Sequence, residues 1–180
     1  MSKALIIVDV QNDFVTGSLA VPNAKEIIPI ISWIIKNVDY KLRVATFDWH
    51  PENHVSFKQW PIHCVKNTVG ADLALESHLF PLLIPILKGT DINVDSYSAF
   101  FDNDHKSSTI LDGKYLKADF TISELDIVGI ATDYCVKFTA LDAIKLGYRV
   151  NVLSFACRGV TPETTATAIK EMKDNGINIV

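Results

Sequence analysis

The sequence predicts a single-domain α/β protein built on a doubly wound sheet, with right-handed crossovers joining its strands. Three observations carry that expectation. Short continuous runs of aliphatic and β-branched residues recur along the chain, as buried parallel strands require. Amphipathic segments with helical spacing separate most of them. The length of 180 residues suffices for one well-buried core and is too short for two.

The first strand is expected at residues 4–8, ending in Asp9, and the first helix over 24–38, with Ile27, Ile28, Ile31, Ile34 and Ile35 along one side. A second strand follows at 43–47. Residues 48–79 then break the alternation: they are rich in His, Pro, Trp and Asn, and so long a connection in a compact domain is usually functional. The third strand is expected at 84–87 and a weaker helix at 109–117, where Gly113 counts against it. Strands at 125–130, 150–155 and 177–180 complete the set. Between them lie helices at 136–146, with Phe138, Leu141, Ala143 and Ile144 apolar, and at 162–175, with Ala166, Ile169 and Met172. Gly147 and Gly176 stop these two helices. No repeat or linker intervenes, so residues 1–180 read as one domain.

Composition narrows the function classes. The apolar fraction is 48%, yet no stretch approaches the roughly 20 uninterrupted apolar residues of a bilayer span. Lys3 runs at once into the first strand, unlike an export signal, so a cytoplasmic protein with no membrane association is expected. A net charge of −4 weighs against nucleic acid as a partner. Cys64, Cys135 and Cys157 are odd in number and widely spaced, so any special role should be chemical rather than a structural disulfide.

Asp9 ends a strand, and Cys135 follows one where a helix begins, which places both at the carboxyl edge where open α/β sheets bind ligands. A helix N-terminus and a nearby ammonium can lower a thiol pKa by a unit or more, each unit being about 1.4 kcal/mol. Lys88, closing the third strand, could supply that ammonium and hold Asp9 and Cys135 as anions, with Asp9 taking the thiol proton and returning it to a leaving amine. Taken singly, each has a plainer explanation: an inert buried thiol, a solvated lysine, a capping aspartate. The metal signal is stronger. Asp48, His50, His54 and His63 fall within one loop, with Pro51 turning the chain back, and a carboxylate with three imidazoles suits zinc, iron or manganese. A tight turn at Ile130-Ala131-Thr132-Asp133 would aim the Ala131 and Cys135 amides at one point as an oxyanion hole. Phe14, Trp60, Tyr97 and Tyr134 lie beside these motifs and could sandwich a flat ring, or simply pack in the core. Cys64, Cys157, His78 and His105 are expected to play no part, with Cys157 placed after its strand.

These motifs occur together as Asp9-Val10-Gln11-Asn12-Asp13-Phe14, the run Asp48-Trp49-His50-Pro51-Glu52-Asn53-His54, Trp60-Pro61-Ile62-His63-Cys64, Lys88-Gly89, Tyr97-Ser98-Ala99-Phe100 and Gly129-Ile130-Ala131-Thr132-Asp133-Tyr134-Cys135. In that order, over nearly the whole chain, they resemble the nicotinamidase branch of the isochorismatase-like cysteine hydrolases. The resemblance implies a six-stranded parallel sheet, an Asp9, Lys88 and Cys135 triad, a divalent metal, zinc foremost, held by Asp48, His50, His54 and His63, and a cis peptide between Ile130 and Ala131. It implies hydrolysis of nicotinamide, and of pyrazinamide-like amides, to nicotinic acid and ammonia through a Cys135 thioester, in NAD salvage. Self-association is left open. Lys66-Asn67, where relatives usually carry Gln-Gly, and residues 91–96 depart from the pattern.

Rival readings remain at this stage. Relatives acting on carbamoyl or ureido amides keep the triad but generally lack the full ligand set. A metallohydrolase would leave Cys135 merely packed. A nucleotide-binding module is disfavoured because no G-x-G-x-x-G follows the first strand.

Overall fold

A computed structural model describes residues 2–180. Six strands form one parallel sheet: β1 (Ser2–Val8), β2 (Leu42–Asp48), β3 (Ile84–Lys88), β4 (Ile122–Ile130), β5 (Arg149–Arg158) and β6 (Asn178–Ile179), in spatial order β3-β2-β1-β4-β5-β6. Along β1 successive side chains alternate between faces. Leu5 and Ile7 join one buried cluster, and Ala4, Ile6 and Val8 join the other.

Four α-helices cover those faces. A short α1 (Asn12–Val15) follows β1, and α2 (Ile27–Asn37) sets Ile27, Ile31, Ile34 and Ile35 into the Leu5 cluster. On the opposite face α3 (Lys137–Lys145) contributes Ala140, Leu141 and Ala143, and α4 (Pro162–Asp174) contributes Met172. Thr161 caps α4, its hydroxyl accepting from the Thr164 amide, and Pro162 takes the first helical position, where a missing N–H costs nothing. No helix of the described residues is long and apolar enough to cross a membrane.

Several local expectations shift. The segment from residue 24 opens as a tight 3₁₀ turn (Ala24–Glu26) before α2. The weak helix at 109–117 reduces to a π-type turn, Leu111–Leu116. The long loop after β2 holds three 3₁₀ turns, Val55–Lys58, Val69–Ala71 and Ser77–Leu82. Cys157 lies inside β5 rather than after it, because the register slips between Ile127 and Gly129 and pairing resumes with Gly129 opposite Cys157.

The sheet reverses direction of growth between β1 and β4, so the crevice at their carboxyl ends is the natural ligand site. Gly129 makes the close approach there possible: its φ is 122°, and a Cβ would run into the Val8 backbone.

Candidate active site

Three strand ends supply the charged floor of this crevice. Asp48 and Lys88 end β2 and β3 in register with each other, and Asp9 follows β1 in a left-handed conformation with φ 48°. The chain leaves β4 through a cis peptide between Ile130 and Ala131, and a π-type turn, Thr132–Val136, then places Cys135 at the entrance to α3.

Lys88 is 1% exposed, so it must be paired to remain charged. Its Nζ donates to Asp48 Oδ1 at 2.5 Å, to the Ser96 carbonyl at 2.8 Å and towards Cys135 Sγ at 3.6 Å. Asp9 Oδ2 forms an ion pair with the same nitrogen at 2.9 Å. Carboxylate oxygens of Asp9 and Asp48 and the sulfur of Cys135 all lie within 4.8 Å of one another. Thus the structure brings Asp9, Lys88 and Cys135 together around one sulfur.

The electrostatics differ from the expectation of a thiolate held down by a cation. Burial pushes the Cys135 thiol well above its ordinary value; the Lys88 ammonium pulls it down, but Asp9 and Asp48 add to the rise. Burial likewise raises Asp9 against the pull of Lys88. Burial also works against ionised Asp48, yet Lys88 and then His50 and His63 outweigh it and hold that carboxyl far below the usual range. Lys88 itself stays charged, the two carboxylates overcoming its burial. Cys135 at rest is therefore a thiol beside the Asp9 carboxyl. Cys64 and Cys157 are pushed up by burial too, Cys157 to about 12.

The imidazoles sort into two kinds. His50 Nδ1 donates to the Gly89 carbonyl at 2.8 Å and His63 Nδ1 to the Pro61 carbonyl at 2.7 Å, which leaves each Nε2 without that proton. Those nitrogens lie 3.6 and 3.9 Å from Asp48 Oδ2, and His50 Nε2 is buried without a partner. Ligands about a tetrahedral zinc stand roughly 3.4 Å apart, so this trio fits a divalent ion with little adjustment. His54 is placed differently. Its ring stacks on His50 at 4.0 Å, its Nε2 donates to the Val94 carbonyl at 3.1 Å, and its Nδ1 meets the Ser56 hydroxyl at 2.7 Å. It forms a second group of possible ligand atoms with His50 and Asp95.

Over the sulfur lies a small, mostly apolar cavity of about 80 Å³. All four expected aromatic residues line it: Phe14 tilted against His63 at 5.5 Å, Trp60 edge-on to Tyr134 at 5.1 Å, and Tyr97 accepting from Trp60 Nε1 at 3.3 Å. Ala131 also lines it. His78 and His105 sit at the surface, as expected.

Several residues at the site carry no obvious signal in the sequence. Leu19, Val21 and Val160 complete the apolar wall. Gln11, fully buried, brackets the Asp48 backbone, donating to its carbonyl and accepting from its amide, both at 2.9 Å. Asp133 accepts from the Val160 amide and from the Thr164 hydroxyl, tying the Cys135 turn to the cavity wall. Asp95 lies in the atypical 91–96 stretch. Gln11 and Asp133 are inside recognised motifs, but only contacts reveal what each holds.

Comparison with known proteins identifies the family. The isochorismatase domain matches residues 3–180. A nicotinamidase of Escherichia coli is 41% identical over 98% of this chain and 93% of its own. Among solved structures, a pyrazinamidase of Pyrococcus horikoshii in complex with zinc superposes with a TM-score of 0.89 at 41% identity, covering 100% of this chain and 99% of that one. A protein of L. infantum in complex with nicotinate gives 0.92 at 35% identity, covering 99% and 92%. With a match from the first strand to the last, the chain belongs to the isochorismatase family, in its nicotinamidase branch.

Proposed function

We propose that this chain hydrolyses nicotinamide, and pyrazinamide-like amides, to the acid and ammonia. One observation carries the reading: Cys135, which sits against Asp9 and Lys88, lines the same aromatic cavity as Asp48 and His63 of the metal trio. Relatives named for nicotinamide hydrolysis support the choice of substrate.

The flat ring enters between Phe14, Trp60 and Tyr97, which set its plane and leave the carboxamide carbon over Cys135 Sγ. Asp48, His50 and His63, with His54 stacked on His50, would hold a divalent ion, zinc foremost, which would supply a Lewis acid beside the ring. Asp9 Oδ2 takes the thiol proton as sulfur bonds to the carboxamide carbon, so no free thiolate need accumulate in the buried site. The carbonyl electron pair moves to oxygen, and the amides of Ala131 and Cys135 receive that charge. Collapse breaks the C–N bond while Asp9 returns its proton to nitrogen, releasing ammonia and leaving a Cys135 thioester. Water then gives a proton to Asp9 and attacks the thioester carbon; the C–S bond breaks, sulfur recovers the proton, and nicotinic acid departs. Lys88 stays charged throughout and offsets whichever neighbour is anionic.

The reading is tested by ammonia release from nicotinamide with and without a chelator. Rapid, chelator-sensitive release is expected. Its absence in zinc-supplemented protein would overturn the proposal.

A further inference from the structure

The two oxygens of Asp9 have different surroundings. Oδ1 accepts a hydrogen bond of 2.6 Å from the Thr46 hydroxyl, whereas Oδ2 faces the Lys88 ammonium at 2.9 Å. A threonine hydroxyl carries one proton, and here that proton goes to Oδ1. Its oxygen in turn accepts from the Asp9 amide at 3.1 Å. Both contacts fall where the β1 and β2 ladder ends, since the last paired residues are Ile7 and Ala45. One residue beyond, the Thr46 side chain takes over from the backbone and holds Asp9 in its left-handed turn. Thr46 is 0% exposed, so water does not compete for either bond.

We propose that Thr46 is a positioning residue for the hydrolysis: by holding Oδ1 and the amide of Asp9, it aims Oδ2 at Cys135 Sγ and fixes which oxygen receives the thiol proton. The inference rests on the Asp9 and Cys135 roles proposed above. Thr46 touches no reacting atom. Without its hydroxyl the carboxylate can rotate, and neither oxygen is held towards the sulfur. A role in packing alone would depend on the γ-methyl rather than the hydroxyl, and substitutions separate the two.

The test uses full-length, zinc-loaded protein and the variants Thr46→Val and Thr46→Ser. For Thr46→Val, kcat for ammonia release from nicotinamide is expected to fall about 10- to 100-fold, with KM within about threefold. Alkylation of Cys135 by iodoacetamide, located by peptide mass, is expected to slow by about tenfold or more, because the same base assists it. Thr46→Ser is expected to recover both rates to within about threefold of the parent. Zinc affinity, measured by competition with a chromophoric chelator, is expected to be unchanged in both. Wild-type rates in Thr46→Val, an equal loss in Thr46→Ser, or a loss that follows departure of zinc through Asp48 would each overturn the inference. Should the parent protein release no ammonia from nicotinamide, the substrate reading fails, while the alkylation ratio still decides the role of Thr46.

Discussion

Asp48 and Lys88 close neighbouring parallel strands in register, and the ammonium of one meets the carboxylate of the other at 2.5 Å with both side chains buried. That pair joins the proposed metal trio to the proposed nucleophile, because the same Nζ reaches towards Cys135. Replacing Lys88 by Met leaves two carboxylates buried against no cation. Breaking a buried pair in this way costs about 3–5 kcal/mol. A matching fall in the urea midpoint is expected, together with loss of ammonia release. Lys88→Arg is expected to rescue neither, since a guanidinium is planar and larger than the site that holds Nζ.

Cys135→Ala should separate chemistry from architecture. The side chain is small and 6% exposed, so stability and zinc stoichiometry are expected to stay near those of the parent. Ammonia release is expected to drop by at least about 10⁴-fold, and the acyl adduct on the Cys135 peptide to vanish from rapid-quench mass spectra. Abundant residual turnover would instead favour attack by hydroxide and reduce Cys135 to packing.

The imidazoles should not contribute equally. His50 and His63 point free nitrogens at Asp48, whereas both nitrogens of His54 are engaged by Val94 and Ser56. His63→Ala is expected to weaken zinc binding by more than about 100-fold and His54→Ala by less than about tenfold, as for a residue that supports a ligand rather than being one. Competition with a chelator measures both. Equal losses would place His54 in the coordination sphere of the loaded protein.

The strands and helices were legible because buried parallel strands and amphipathic helices leave distinct periodicities, and β1, β2, β3 and β4 lie close to their expected positions. The end of β5 was not, since the slip opposite Gly129 interrupts pairing without interrupting the apolar character that continues to Cys157. At the site, residues with unusual chemistry in a motif, such as Asp48, His50 and Cys135, announced themselves. Thr46 and Gln11 did not: a threonine in a strand and a glutamine in a turn are ordinary, and their roles consist of hydrogen bonds to residues 37 positions away. The thiol's protonation was also beyond sequence reasoning, which could foresee the Lys88 ammonium but not the depth of burial that outweighs it.

At the opposite edge of the sheet Glu124 accepts from Lys3 and Asn151, and these contacts hold its carboxyl below the ordinary glutamate value. A group depressed in the folded state contributes stability above its unfolded value, and that contribution is lost as pH falls through the folded one. Lys3 is 44% exposed, so solvent screening limits the effect to about 1 kcal/mol or less. Glu124→Gln is therefore expected to lower the denaturation midpoint slightly at pH 7, with the difference closing on acidification below about 4. A gap that widens in acid would reverse the sign assigned here.

Gln11 gives the sharpest test of how the metal trio is held. Its carboxamide must donate to the Asp48 and Ala71 carbonyls and accept from the Asp48 amide at once. A glutamate of the same shape can do only the accepting, and would bury a charge against two carbonyl oxygens. Gln11→Glu is thus expected to be worse than Gln11→Met, which leaves the same backbone groups unpaired but introduces no charge. Denaturant midpoints should rank the parent above Gln11→Met and Gln11→Met above Gln11→Glu, with zinc affinity falling in the same order because Asp48 loses its backbone anchor. Should zinc affinity stay at the parental level while stability falls, Gln11 would hold the loop around Ala71 and leave the position of Asp48 to Lys88 alone.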